Sequence, residues 1–179
     1  MARLHSSLVV LLTLTFFELR LANSSPIAWT DWSPQSPSPE TYTSIQNTLS
    51  LFSIAYDTKQ LSLLDQVFTP TATTNFTGNA VQSGVPAITD FLQSTIIPGG
   101  SQHASSTVHV NQTGPATANV ISYLSAIFFG SASTQGLAYQ NFGYYEDQMV
   151  KQNGKWLVQN RVIHNYGGIG NISVVPGAS

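Results

Sequence analysis

Ile45, Leu49, Phe52 and Tyr56 recur at spacings of four, three and four, one apolar stripe of an amphipathic helix. Ser38-Pro39-Glu40 opens that helix with an N-cap and a proline at its first helical position, and Asp57 follows the stripe directly. A short second helix is expected over about 61–68, ended by Pro70, and a brief strand over 73–76. A third helix is expected over about 86–96, stopped by Pro98-Gly99-Gly100. Beyond it the pattern changes to alternation. Strands are predicted over 102–112, 116–129, 137–151 and 156–166, separated by Gly114-Pro115, residues 130–136 and Asn153-Gly154.

Asn-Gly suits a two-residue type I′ hairpin, which sets Gln152 opposite Lys155 and fixes the register of the ladder behind it. Glu146 then falls opposite Arg161 and Gln148 opposite Gln159, a wet face. The other face pairs Tyr145 with Val162, Asp147 with Asn160 and Met149 with Val158, and carries His164 opposite Gly143. That second face is the expected pocket face, so Tyr145, Asp147, Asn160 and His164 become candidate substrate contacts. A bulge between the strands would reverse the assignment.

Composition narrows the class. The chain has 179 residues, enough for one domain with a proper core, and only 8 % are charged, with a formal net charge of −2. No basic stripe is present to hold phosphates, which argues against a nucleic-acid partner. Apolar residues at 42 % exclude a disordered chain, and the absence of cysteine excludes disulfides and Cys metal sites.

Residues 1–24 read as a secretory leader: Arg3, then an apolar run from Leu8 to Phe17, then small residues at Ala22, Ser24 and Ser25. Cleavage after Ala22 or after Ser24 fits equally. The alternative is a retained anchor helix, but Glu18 and Arg20 break the run too early for a stable membrane span. Sequons at Asn23, Asn75, Asn111 and Asn171 accord with a secretory, extracellular destination and would place those side chains at the surface. Residues 25–38 form a proline-rich arm containing Trp29 and Trp32, residues 39–170 the domain, and 171–179 a tail.

Three helices before a long antiparallel sheet resemble the α+β cone of the nuclear transport factor 2 (NTF2-like) superfamily, in which a curved antiparallel sheet encloses a pocket. Ser53 to Phe76, SIAYDTKQLSLLDQVFTPTATTNF, is similar to the opening of the SnoaL-like and scytalone-dehydratase-like families. SQHASS around His103 resembles the histidine strand of the dehydratases, and Tyr144 to Ile163 resembles the final hairpin. On this resemblance Tyr56, Asp57 and His103 match catalytic positions. The second pocket tyrosine of the dehydratases falls on Phe76, the second histidine near Phe128 or Phe129, and the pocket asparagine on Tyr145. Half of the polar dehydratase set is thus aromatic here, which argues against scytalone itself as substrate.

The chemistry implied is that of an acid–base trio. A carboxylate on one ring nitrogen fixes the tautomer of His103 and makes the other nitrogen a better base. Tyr56 would donate to a carbonyl or a leaving hydroxyl. The plain alternatives are a helix-end carboxylate for Asp57 and a satisfied strand histidine for His103. His109 is read as exposed. No metal-ligand spacing occurs, and the resemblance implies neither metal nor cofactor. The expected function is an exported tailoring enzyme, a lyase or isomerase of fungal secondary metabolism acting on a hydrophobic small molecule. It would dehydrate a polyketide or terpenoid precursor, or direct its cyclisation, including a hetero-Diels–Alder reaction. The alternative is a secreted binding protein without catalysis. An epoxide-opening hydrolase ranks last, because Arg161 faces outward in the expected register. Such folds also pair as homodimers through the outer sheet face.

Overall fold

The computed structural model describes residues 36–76 and 80–175; the leader, Asn23, most of the tryptophan-bearing arm and the last four tail residues lie outside the described residues. Helix α1 runs Pro39–Asp57. The Ser38 hydroxyl accepts from the Thr41 N–H, Pro39 occupies the first turn, and Lys59 adopts a left-handed φ just past the end. Its stripe packs as the spacing predicts, with Ile45, Leu49, Phe52 and Tyr56 all buried in one core. A 3₁₀ turn, Leu61–Gln66, leads into strand β1, Phe68–Phe76, followed by a short strand β2, Gln82–Ser83. Helix α2, Val85–Thr95, starts after Gly84, whose φ of 81° favours glycine. Four long strands complete the domain: β3 Ser101–Gly114, β4 Thr117–Phe129, β5 Ala138–Gln152 and β6 Lys155–Gly170. Asn153 and Gly154 both have positive φ, the turn their sequence predicts.

The expected cone needs correction in two respects. The six strands form one sheet in the order β2-β1-β6-β5-β4-β3, with β2 and β3 as separate edges, so the sheet is open rather than closed around a pocket. It is also mixed, because β1 runs parallel to β6. Alternation marks strands and Asn-Gly marks a hairpin, but neither reveals a parallel pairing between segments some ninety residues apart. The helices lie on one face of this sheet, and the core sits between the two layers. Among the described residues no helix is long and apolar enough to cross a membrane.

The β5–β6 ladder holds a further correction. Gln152 faces Lys155 and Met149 faces Val158 as expected, but Gln148 pairs with Asn160, leaving Gln159 as an extra residue on β6. Beyond that bulge Asp147 faces Arg161, Glu146 faces Val162, and Tyr145 faces Ile163. Arg161 therefore turns inward. Its Nε and Nη2 donate to the two oxygens of Asp147 at 2.7 and 2.8 Å, and both side chains are fully buried. Its guanidinium carbon lies 4.4 Å from the centroid of Phe52 and 4.3 Å from that of Tyr145, and Nη1 has no hydrogen-bond partner among the described residues. Those two rings, with Phe68 at 5.7 Å, supply further contact with the cation. Removing the counter-charge in Asp147→Asn is expected to destabilise the domain by about 3–5 kcal/mol, because an uncompensated buried cation remains. Urea unfolding checks this; a loss comparable to that of a surface pair, below about 1 kcal/mol, would refute it.

Candidate functional site

The C-terminal end of α1 meets the start of β3, and Asp57 makes the junction. Its Oδ2 accepts the backbone N–H of His103 at 2.7 Å, and its Oδ1 accepts the Ser101 hydroxyl at 2.7 Å. The same Oδ1 lies 2.7 Å from Nδ1 of His103. Strand alternation puts Ser101 and His103 on the same, helix-facing side of β3. The imidazole sits edge-on to Tyr56 at 4.9 Å and to Phe128 at 5.6 Å. Its side chain is 9 % exposed and that of Asp57 18 %. Donation of Nδ1–H to the carboxylate leaves the Nε2 lone pair facing away from Asp57, the arrangement of a histidine base.

His103 borders a cavity of about 190 Å³ between the helices and the sheet. Helix α1 contributes Phe52 and Tyr56, helix α2 contributes Phe91, Leu92 and Thr95, and β1 contributes Phe76, stacked on Phe91 at 4.6 Å. Leu124, Ala126 and Phe128 come from β4, Asn141 and Tyr145 from β5, and Ile163 and Asn165 from β6. The Asn141 amide donates to the side-chain oxygen of Asn165 at 3.1 Å, an exposed polar pair. Among the described residues no Asp, Glu, Lys or Arg lines the space.

Of the residues expected from sequence, Tyr56, Phe76, His103, Phe128 and Tyr145 meet at this cavity, with Asp57 behind the histidine. The Tyr56 hydroxyl donates to the Thr95 carbonyl at 2.7 Å, so its proton is engaged with the end of α2 rather than free for a ligand. Asp147 is buried, but it binds Arg161 and does not line the cavity. Asn160 and His164 are corrections. The Gln159 bulge turns both to the opposite face, where Asn160 accepts from Thr73 at 3.0 Å. There His164 stacks on Tyr144 at 4.4 Å, with Nε2 3.1 Å from Glu146. His109 is exposed, as expected; a register shift at Thr107, φ 49°, breaks its parity with His103.

The sequon asparagines differ in setting. Asn171 is exposed and Asn75 half-buried, whereas Asn111 is 7 % exposed, contrary to the surface position expected of it. Sequence reading missed Phe91, Leu92, Thr95, Asn141 and Asn165. The α2 residues carry the periodicity of ordinary core, Asn141 shares the parity of Tyr145 near the far end of β5, and Asn165 comes inward only through the shifted register of β6.

The SnoaL-like domain family matches residues 38–162, most of the chain. The chain belongs to that family. No curated protein matches it significantly, but solved structures do. A protein provisionally named scytalone dehydratase, from Novosphingobium aromaticivorans, is 20 % identical with a TM-score of 0.66, over 74 % of this chain and 88 % of that one. Hexachlorocyclohexane dehydrochlorinase LinA-type3 from Novosphingobium barchaimii is 13 % identical with a TM-score of 0.66, over 78 % and 92 %. Aln2 from a Streptomyces is 19 % identical with a TM-score of 0.62, over 73 % and 94 %. These likenesses establish the fold.

Electrostatics of the SnoaL-like site centre on Asp57. Burial alone would raise its carboxyl, but the hydrogen bonds from the His103 ring, the His103 N–H and Ser101, with the attraction of His103, hold it below the usual carboxylate range. A carboxyl lowered on folding contributes stability that is complete above the ordinary aspartate range and is lost as pH falls through the lowered value. Stability measured by urea unfolding should therefore fall below about pH 4 more steeply in the native protein than in Asp57→Asn. Identical slopes in the two proteins would show that Asp57 is not held low.

Proposed function

We propose that this SnoaL-like protein is a lyase that takes a proton from the carbon next to a carbonyl and expels water from the neighbouring carbon. The observation that carries this reading is the Asp57–His103 pair at 2.7 Å, set at the wall of a largely apolar cavity. His103 Nε2 takes the α-proton to leave an enolate, and collapse of that enolate forms the new Cα–Cβ double bond as the β-hydroxyl departs. The proton held on the imidazole leaves with that hydroxyl as water, so the base is regenerated. Asp57 stays ionised and stabilises the transient imidazolium, as its lowered proton affinity favours. A structural relative named for a dehydratase and another named for a dehydrochlorinase support the reaction class, since both names describe elimination.

A second reading, ring closure of the alkene so formed, including a hetero-Diels–Alder reaction, draws support from the aromatic walls Phe52, Phe76, Phe91 and Phe128. Such a step needs chiefly positioning and exclusion of water. Export is part of the proposal on the strength of residues 1–24 and of the exposed Asn171. Glycopeptide mapping of the secreted protein is expected to find Asn171 modified and the buried Asn111 bare.

Incubation of the purified protein with metabolite extracts of its source, followed by mass spectrometry, should reveal a compound that loses one water. His103→Ala and Asp57→Asn are each expected to lower that turnover by about 10²–10⁴ with circular dichroism unchanged. A ligand that co-purifies and is never altered would replace the lyase by a binding protein. Full activity of His103→Ala would remove the histidine from the mechanism.

A further inference from the structure

Two tyrosine side chains reach the cavity together with His103, and they differ in what holds their hydroxyls. The Tyr56 O–H donates to the Thr95 carbonyl at 2.7 Å, with the Thr95 hydroxyl at 3.2 Å. The Tyr145 hydroxyl has no hydrogen-bond partner among the described residues, although the ring is only 3 % exposed and lines the cavity. Its ring is held from two sides. Phe52 meets it edge-on at 5.8 Å, and the Arg161 guanidinium lies 4.3 Å from its centroid. Arg161 is in turn locked by the two hydrogen bonds to Asp147. A phenol fixed in this way, with an unengaged O–H beside an apolar space, is a preorganised hydrogen-bond donor.

Size and charge restrict what can reach it. An apolar protein cavity of roughly 150 Å³ holds a benzene molecule. The 190 Å³ here admits one substituted ring and little more, with any longer substituent directed out of the cavity. Among the described residues the lining carries no Asp, Glu, Lys or Arg, and the Asp57 carboxylate stands directly behind His103. An anionic ligand would meet no unpaired counter-charge there, because Arg161 is bound to Asp147 and His103 to Asp57.

We propose that Tyr145, not Tyr56, is the catalytic donor of this site, hydrogen-bonding the carbonyl oxygen of a neutral, single-ring ketone whose α-carbon lies at His103 Nε2. The inference deepens the lyase reading and rests on it. In the first half of the elimination the α-proton moves to Nε2, the C–H electrons form a double bond to the carbonyl carbon, and the C=O π pair moves onto the oxygen. The Tyr145 O–H stabilises that enolate oxygen. Burial raises the phenol well above its ordinary range, with the Arg161 charge opposing and the Asp147 charge adding, so Tyr145 stays protonated as a donor throughout the neutral range.

Acetophenone, a neutral ring with a carbonyl and exchangeable α-hydrogens, is the probe. At a pH above the histidine range, millimolar acetophenone labelled with ¹³C at the carbonyl is titrated with the full protein, and exchange of its methyl hydrogens with deuterated water is followed. The native protein is expected to move the carbonyl resonance downfield, to accelerate exchange, and to bind benzoate far more weakly. Tyr145→Phe should abolish the resonance shift and slow exchange by about 10²–10³, with circular dichroism retained. Tyr56→Phe should keep the shift.

The two readings fail separately. A carbonyl shift that depends on Tyr145 without accelerated exchange would uphold the donor and sink the histidine base. Exchange that depends on His103 while Tyr145→Phe keeps the shift would uphold the base and overturn the donor. Absence of acetophenone binding, or benzoate binding as tightly, would overturn the assigned ligand class.

Discussion

The buried ion pair between Asp147 and Arg161 fixes which way the last strand faces, and the rest of the site depends on that choice. A one-residue slip along β6 would carry every side chain to the other face. In the observed register Arg161 finds a bidentate carboxylate and two aromatic faces inside the domain. Burying that cation without Asp147 would cost several kcal/mol, so competing registers are disfavoured by more than their lost apolar contacts. The bulge at Gln159 is the local distortion that makes the pairing geometrically possible. Once Arg161 is inside, alternation brings Ile163 and Asn165 to the same face and builds one wall of the cavity.

Two inward carboxylates thus have different tasks, set by their surroundings. Asp147 meets a permanent cation, fully desolvated, and acts as a strut. Asp57 meets a group that can be neutral or charged, at a helix end with some access to solvent. Only the second arrangement can respond to a proton arriving on its partner. The same carboxylate also binds the His103 backbone and Ser101, so imidazole orientation and the packing of α1 against β3 share one set of hydrogen bonds. A variant at Asp57 therefore tests catalysis cleanly only when it keeps the shape of the side chain, as Asn does.

Much of this was legible in the chain. The stripe from Ile45 to Tyr56 identified α1 to within a residue, and it carries Tyr56 and Asp57 at its end by direct succession. His103, Phe76 and Phe128 were placed at the pocket by the family resemblance, and Tyr145 by the resemblance and by the alternation of β5, which the bulge on β6 leaves undisturbed. Asn160, His164 and Arg161 were misplaced for a single reason. One unpaired residue at Gln159 inverts parity, and Gln-Asn-Arg offers three polar side chains among which alternation cannot choose. The open, mixed sheet escaped for a different reason: the β1–β6 pairing depends on tertiary packing and leaves no periodic trace.

An open sheet changes how the cavity must be understood. A closed barrel would shape its interior by strand number and tilt, whereas here one face of the sheet forms the floor and α1 and α2 form the walls. Thr95 and Tyr56 tie those walls together at the point nearest His103. Substitutions at Phe91 or Leu92 on α2 can therefore reshape the space without touching the Asp57 junction or the buried ion pair. The chemistry is held by β3 and the end of α1, and the ligand-sized volume is set largely by α2. That separation leaves the Asp57–His103 pair in place when the space beside it is reshaped.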